Sequence, residues 1–164
     1  MGKTTLHREV AARGIKICDS DSSTFDKAEF PQNYIAHIKE KLADGYTVLC
    51  STHKVVREAL QAAELDYTLV YPAHALFDDY IRRYEERNNT PAFVTLMSVN
   101  WTAFVTQCAE DRGAAIKIEL NRPDLHLADV ITVEPSLLDV LIVKHAASIA
   151  KIDLSYTPEA ADGA

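Results

Sequence analysis

The chain has 164 residues, 48% hydrophobic and 25% charged, values that fit one folded domain with a proper core and exclude a disordered or fibrous body. A formal net charge of -7 argues against a general nucleic-acid-binding or anionic-membrane surface, though not against a local phosphate pocket. No apolar run approaches the roughly 20 residues of a membrane-crossing helix, and no secretory signal pattern is visible, so a cytoplasmic location is expected.

Met1-Gly2-Lys3-Thr4-Thr5 reads as the back half of a phosphate-binding loop, G-x-x-x-x-G-K-[ST]. In the complete loop, backbone N–H groups cradle phosphates, the Lys reaches the β/γ-phosphates and the hydroxyl sits on Mg²⁺. Gly2, Lys3, Thr4 and Thr5 are therefore candidate ATP-binding residues, with Leu6 to Ala12 as the following helix, stopped at Arg13-Gly14. The loop's first glycine and the buried strand that launches such a loop are not in the sequence. The reading therefore expects a domain whose first strand is missing from this chain.

Ile15 to Cys18 is a short strand that runs into the polar loop Asp19-Ser20-Asp21-Ser22-Ser23. Asp19 and Asp21 lie where open α/β sheets bind ligands, past a strand's carboxyl end. Two carboxylates there can divide work between Mg²⁺ and a substrate hydroxyl; a solvated turn has the same composition. A helix follows over about Pro31 to Ala43, with Tyr34, Ile35, Ile38 and Leu42 on its apolar face and Asp44-Gly45 at its end. Tyr46 to Cys50 is a strand leading to Ser51-Thr52-His53, where hydroxyls past a strand end can hold water or Mg²⁺ and His53 equally well simply starts the next helix. A helix spans about Lys54 to Ala63, and Tyr67 to Tyr71 is a strand ended by Pro72.

Beyond Pro72 the pattern turns helical. Ala75 to Arg87 carries Arg82, Arg83 and Arg87; Arg83 and Arg87 share a face and suit a phosphoryl group, while salt bridges to Asp79, Glu85 and Glu86 use them equally well. Thr90-Pro91 is an N-cap and first-turn pair. It opens a helix with Phe93, Met97, Trp101, Phe104 and Cys108 on its core side and Gly113 at its end. Ala115 to Leu120 is a strand, and Leu127 to Val133 is extended or irregular. Ser136 to Asp139 resembles a capping box opening a helix to about Ile152, although Val140 to Val143 is apolar enough to serve as a substitute strand. One domain is expected over 1–156, with a lid region at about 73–112 and a frayed tail at 157–164.

Cys18, Cys50 and Cys108 lack metal-ligand spacing and read as reduced thiols, and no pair among the histidines suggests zinc. Short strands alternating with amphipathic helices indicate an α/β fold with a mainly parallel sheet covered on both faces.

Together, Gly2-Lys3-Thr4-Thr5, the strand ending Asp19-Ser20-Asp21 and the arginine-bearing helix resemble the P-loop nucleoside monophosphate kinase superfamily. Three runs look closer still to small bacteriophage-encoded (deoxy)nucleotide kinases: Asp19 to Phe25, Phe30 to Ile38 and Tyr80 to Asn88. The resemblance spans roughly residues 2 to 130. It implies a P-loop NTPase-like three-layer sandwich with a helical lid insertion, acting in the cytoplasm (the host's, if viral).

The implied activity is transfer of the ATP γ-phosphoryl group to a nucleoside monophosphate. By the resemblance, Lys3 and Thr4 hold ATP·Mg²⁺, with Thr4 and Asp19 on the metal, and Asp19 and Asp21 lie between metal and acceptor. Arg83 and Arg87 belong to the mobile lid, and Asp21, Phe30, Asn33, Tyr34 and Arg82 serve the acceptor. Two departures stand out: the segment between Phe25 and Phe30 is short, and Asn88 stands where such lids carry Gly. The alternative is a catalytically degenerate relative that binds or sequesters nucleotide, or acts through a partner.

Overall fold

The structure, a computed structural model, describes residues 3–133. Thr132 closes the compact unit to which the elements below belong. The chain is mixed α/β: six helices, α1 (Lys3–Ala12), α2 (Gln32–Ala43), α3 (Lys54–Ala62), α4 (Phe77–Glu86), α5 (Pro91–Ala109) and α6 (Leu127–Val130), alternate with four short strands, β1 (Ile17–Asp19), β2 (Thr47–Leu49), β3 (Thr68–Pro72) and β4 (Ile116–Leu120), among the described residues. Gly2, the expected last helix, the Val140 segment and the tail lie outside the described residues.

The strands form two parallel pairs. β1 lies beside β2 with Cys18 opposite Val48, and β3 lies beside β4 with Val70 opposite Ile118. Each pair needs a helical crossover, since parallel strands cannot be joined by a tight turn. α2 supplies the first, and α4 with α5 supplies the second. Among the described residues β2 and β3 are not bonded to each other, so a single continuous sheet is not formed.

Two apolar clusters follow this division. Tyr34, Ile35, Ile38, Val56 and Leu60 bury α2 against α3 beside β2. Leu69, Tyr71, Leu76, Tyr80, Trp101, Val105 and Cys108 bury α4 and α5 on β3. Tyr67 touches both clusters. A buried polar knot ties the same regions. Arg57 on α3 donates from Nε to Asp111 at 2.7 Å, from Nη2 to the Gln107 carbonyl at 3.0 Å and from Nη1 to the Thr52 carbonyl. Asp111 also accepts from the Tyr67 hydroxyl at 2.7 Å and from the Gly113 and Ala114 amides.

Helix ends follow local chemistry. Gly14 and Gly45 take the left-handed conformation that ends α1 and α2, with φ of +74° and +81°. Thr90 caps α5 by accepting from the Phe93 amide at 3.3 Å.

Several details depart from the sequence reading: β1 runs Ile17–Asp19, so that Asp19 is its last residue rather than the first of the loop, and β2 is trimmed to Thr47–Leu49. α5 stops at Ala109 rather than Gly113, because the Asp111 carboxylate takes the amides of Gly113 and Ala114 and turns the chain toward β4. Its core side is Trp101, Val105 and Cys108, while Phe93 and Phe104 are exposed. Pro72 is the last residue of β3, opposite Leu120, rather than the residue after it. Residues 127–130 form a helical turn, not an extended segment, since the Asp129 carboxylate accepts from the His126 amide at 2.7 Å.

Candidate functional site

The carboxyl ends of β1 and β2 meet the amino-terminal end of α1, and the sequence places most of its polar candidates there. Asp19 is the last residue of β1 and Lys3 the first of α1. Lys3 Nζ lies 3.0 Å from Asp19 Oδ1, and the Thr4 hydroxyl donates to Asp19 Oδ2 at 3.0 Å. Both carboxylate oxygens are thus occupied by side chains from one helix turn. Lys3 Nζ also donates to the Ser20 carbonyl at 3.3 Å. A carboxylate, an ammonium and a hydroxyl share a space against the positive end of a ten-residue helix, where an anion is favoured.

Tyr34 underlies this arrangement. It is fully buried, and its hydroxyl donates to the Ser20 carbonyl at 3.0 Å while accepting from the Ser51 amide at 3.1 Å. One phenol therefore fastens the loop after β1 to the loop after β2. Burial raises the Tyr34 hydroxyl above its ordinary value, so it stays a neutral donor. Sequence periodicity marks Tyr34 as core, and nothing in the spacing marks its hydroxyl as a brace.

Asp21 faces solvent and caps a short 3-10 turn, Ser22–Thr24, accepting from the Ser23 amide at 2.9 Å. That bond, with the Ser23 side chain and the charges of Lys3 and Lys27, holds its carboxyl below the ordinary range. Asp21 is thus an anion at neutral pH, fixed two residues from Asp19.

Phe25 and Phe30 flank Tyr34 with ring centroids at 4.9 and 5.7 Å, and Lys27 Nζ sits 5.0 Å over the Phe30 ring. Asn33 donates from Nδ2 to the Asp26 carbonyl at 3.0 Å, and its buried Oδ1 has no partner among the described residues. The Ser20 hydroxyl is buried and also lacks one there. Thr5 is exposed on the outer side of the same helix turn.

Two further cations, Lys27 and Arg57, and the imidazole of His53 belong to this end of the molecule. Lys27 donates to the Ser22 carbonyl at 2.7 Å. Arg57 reaches the Thr52 carbonyl from below. His53 stands at the start of α3 with an exposed edge. Loss of solvation, and then the positive charges of Lys27, Arg57 and Lys3, hold its imidazole below the usual histidine value. His53 is therefore a neutral ring in a positive field, a setting that an arriving anion relieves. His53 follows a strand end and is a candidate on that ground, whereas only tertiary placement brings Lys27 and Arg57 to it.

The arginines of α4 are placed differently. Arg82 pairs with Asp79 at 2.7 Å and approaches Glu86 at 3.8 Å. Arg83 donates to the Pro123 carbonyl and stacks 5.1 Å over the Tyr80 ring. Arg87 closes the same helix as its C-cap. Among the described residues, no hydrogen bond or ion pair joins these three to Asp19 or Asp21.

No group of three or more His, Cys, Asp or Glu side chains suited to a metal ion occurs among the described residues. The donors that are present, one carboxylate and one hydroxyl, suit a cation that keeps most of its ligands from water and phosphate, as Mg²⁺ does. The three cysteines are free thiols, Cys108 buried and Cys18 and Cys50 half-buried. No described helix is long and apolar enough to cross a membrane. No protein-family model, curated protein or solved structure matches this chain.

Proposed function

We propose that the Lys3–Thr4–Asp19 corner binds the phosphates of a nucleotide, and that the chain derives from a P-loop-type phosphotransferase acting on a nucleoside monophosphate. One observation carries this reading: Lys3 and Thr4 converge on Asp19 at 3.0 Å each, at the helix start and beside the strand end. Had the amino-terminal segment stood away from the Asp19 loop, no shared pocket would exist. The two parallel pairs are compatible with the proposed three-layer architecture, in which they would flank a further strand.

In this reading Lys3 exchanges its ion pair for phosphate oxygens. Thr4 and Asp19 hold Mg²⁺, which neutralises charge on the transferring group. Asp21 stays ionised toward the acceptor, whose base lies against Phe25 and Phe30. Lys27 presents positive charge to the acceptor phosphate, and His53, neutral in the free protein, becomes easier to protonate as the anion arrives. Arg83 and Arg87 reach the site only if α4 moves as a lid, a step such kinases use to exclude water. The alternative, a chain that binds nucleotide without transferring phosphate, is favoured by the absence, among the described residues, of any hydrogen bond or ion pair between those arginines and Asp19 or Asp21.

The test is thermal stability with ATP·Mg²⁺ and with each nucleoside monophosphate, for the wild type and Lys3→Ala. A nucleotide-dependent rise in the wild type that Lys3→Ala loses is the expected result. Equal responses in both proteins remove the phosphate-pocket assignment. His53 supplies a second readout: its NMR titration midpoint, below 6.5 in the free protein, should move up when a phosphate binds beside it. Phosphoryl transfer, followed as ADP formation, then separates the enzyme from the binding protein.

A further inference from the structure

α5 is apolar on two opposite sides, and among the described residues only one of them is packed against the rest of the chain. Its nineteen residues bury Trp101, Val105 and Cys108. At 100° per residue, Ala92, Leu96, Val99 and Ala103 lie within about 40° of the direction opposite Trp101. All four are exposed, with Leu96 at 52% and Val99 at 77%. An outward row of this kind is normally polar.

Charge is missing as well. The chain is 25% charged, yet no Asp, Glu, Lys or Arg occurs between Asn88 and Ala109, where that average puts about five. The row is flanked by Thr95 and Thr102 on one side and by Asn100 and Gln107 on the other, so its borders are polar but neutral. A lipid surface is disfavoured, since interfacial helices carry Lys or Arg beside their apolar face.

The spacing suits a second helix, and its symmetry favours a copy of the same one. The row steps by four, three and four residues, the interval of a helix–helix seam. It is also symmetric: the Ala92/Ala103 pair and the Leu96/Val99 pair are both centred between Met97 and Ser98. A two-fold axis at that point sets each Leu96 against the partner's Val99 and each Ala92 against the partner's Ala103. The small residues at the ends let the backbones approach, and no like charges meet. Such self-complementarity is what an isologous contact requires. We propose that the outer face of α5 is a homodimer interface, formed by antiparallel packing of α5 against α5 of a second copy. This holds whether or not the chain binds nucleotide.

The area bounds the strength. A nineteen-residue helix is about 28 Å long and about 10 Å wide, so one face covers roughly 300 Å² per copy. About 600 Å² in total is small for a specific interface, so the dimer should be weak and concentration-dependent. Sedimentation velocity on the full chain from about 5 to about 500 µM spans that range. The sedimentation coefficient is expected to rise from monomer toward dimer. Leu96→Glu alone, or Val99→Lys alone, should hold the protein monomeric at every concentration. The Leu96→Glu/Val99→Lys double variant should dimerise again, because antiparallel pairing sets residue 96 opposite residue 99, whereas parallel pairing opposes Glu to Glu.

Far-UV circular dichroism melts accompany each variant, and exposed positions should leave them unchanged. A wild type that stays monomeric to the highest concentration overturns the proposal, including the case where another part of the same chain covers the row. So does a dimer indifferent to either single charge, or a double variant that stays monomeric although folded.

Discussion

Tyr34 joins the loops after β1 and β2 through a single hydroxyl, and its removal is the direct test of what shapes the site. Tyr34→Phe keeps the ring among Phe25, Phe30 and the α2–α3 core but leaves the Ser20 carbonyl and the Ser51 amide without that partner. The expected loss is about 1–3 kcal/mol in denaturant unfolding, the cost of stranding part-buried polar groups. A loss within error of zero would mean that water replaces the hydroxyl and that the loops do not depend on it. Glu64 and Asn88 illustrate a different residue-scale constraint, both holding left-handed backbone with φ of +56° and +55°. Asn tolerates this conformation and Glu does not, so Asn88 fits a place where a lid glycine is expected, while Glu64 is strained. Glu64→Gly, at an exposed position just past α3, should stabilise the protein by about 0.5–1 kcal/mol in the same measurement.

Between elements, the polar knot of Arg57 and Asp111 connects α3 to the end of α5 and the approach to β4. Both side chains are nearly inaccessible, at 5% and 6% exposure, so removing one strands the other. Asp111→Asn should cost about 3–5 kcal/mol, the usual result of breaking a buried pair from one side. Its pH dependence has a definite sign. Burial pushes the Asp111 carboxyl up, but hydrogen bonds from Arg57, Tyr67, Ala114 and Gly113 outweigh it and hold the group below its ordinary value of 3.8. A folded-state value below the unfolded one contributes stability above pH ~4 that disappears as pH falls through the folded value. Wild-type stability should therefore drop more steeply below pH 4 than that of Asp111→Asn. Parallel acid limbs in the two urea-unfolding series would show that Asp111 is not the group responsible.

At the level of the whole molecule, the alternation of strands and helices was legible because β1 to β4 are short runs rich in Ile, Val, Leu and Tyr, each set off by polar or turn residues such as Gly14, Asp19, Gly45, Pro72, Gly113 and Asn121. The start of α5 was legible in Thr90-Pro91. Its end was not, since a side chain nineteen residues further on, Asp111 counted from Ala92, takes over the turn. Its core face was ambiguous because a helix apolar on both sides gives no single stripe, and Phe93 and Phe104 fall beside the buried one. The sequence placed Asp19 and His53 past strand ends and Lys3 and Thr4 at a helix start, and only the resemblance put Lys3, Thr4 and Asp19 in one site; their direct contacts, Lys27 and the Tyr34 brace depend on tertiary placement. The division of the strands into two pairs makes one further prediction. Thr47 donates its N–H to the Lys16 carbonyl, so by the two-residue period of a strand the Val48 N–H points away from β1. Ala73 donates to Leu120 across β4, so the Val70 N–H likewise points away from β4. Val70 is only 7% exposed, and a buried amide without a partner is rare. The described residues supply no strand to accept from either group. In native-state hydrogen exchange, the Val48 and Val70 amides are expected to exchange well ahead of Thr47, Leu69 and Tyr71. Protection of both to the level of their neighbours would mean that a further strand lies along these edges, as a continuous sheet of the proposed kinase type requires.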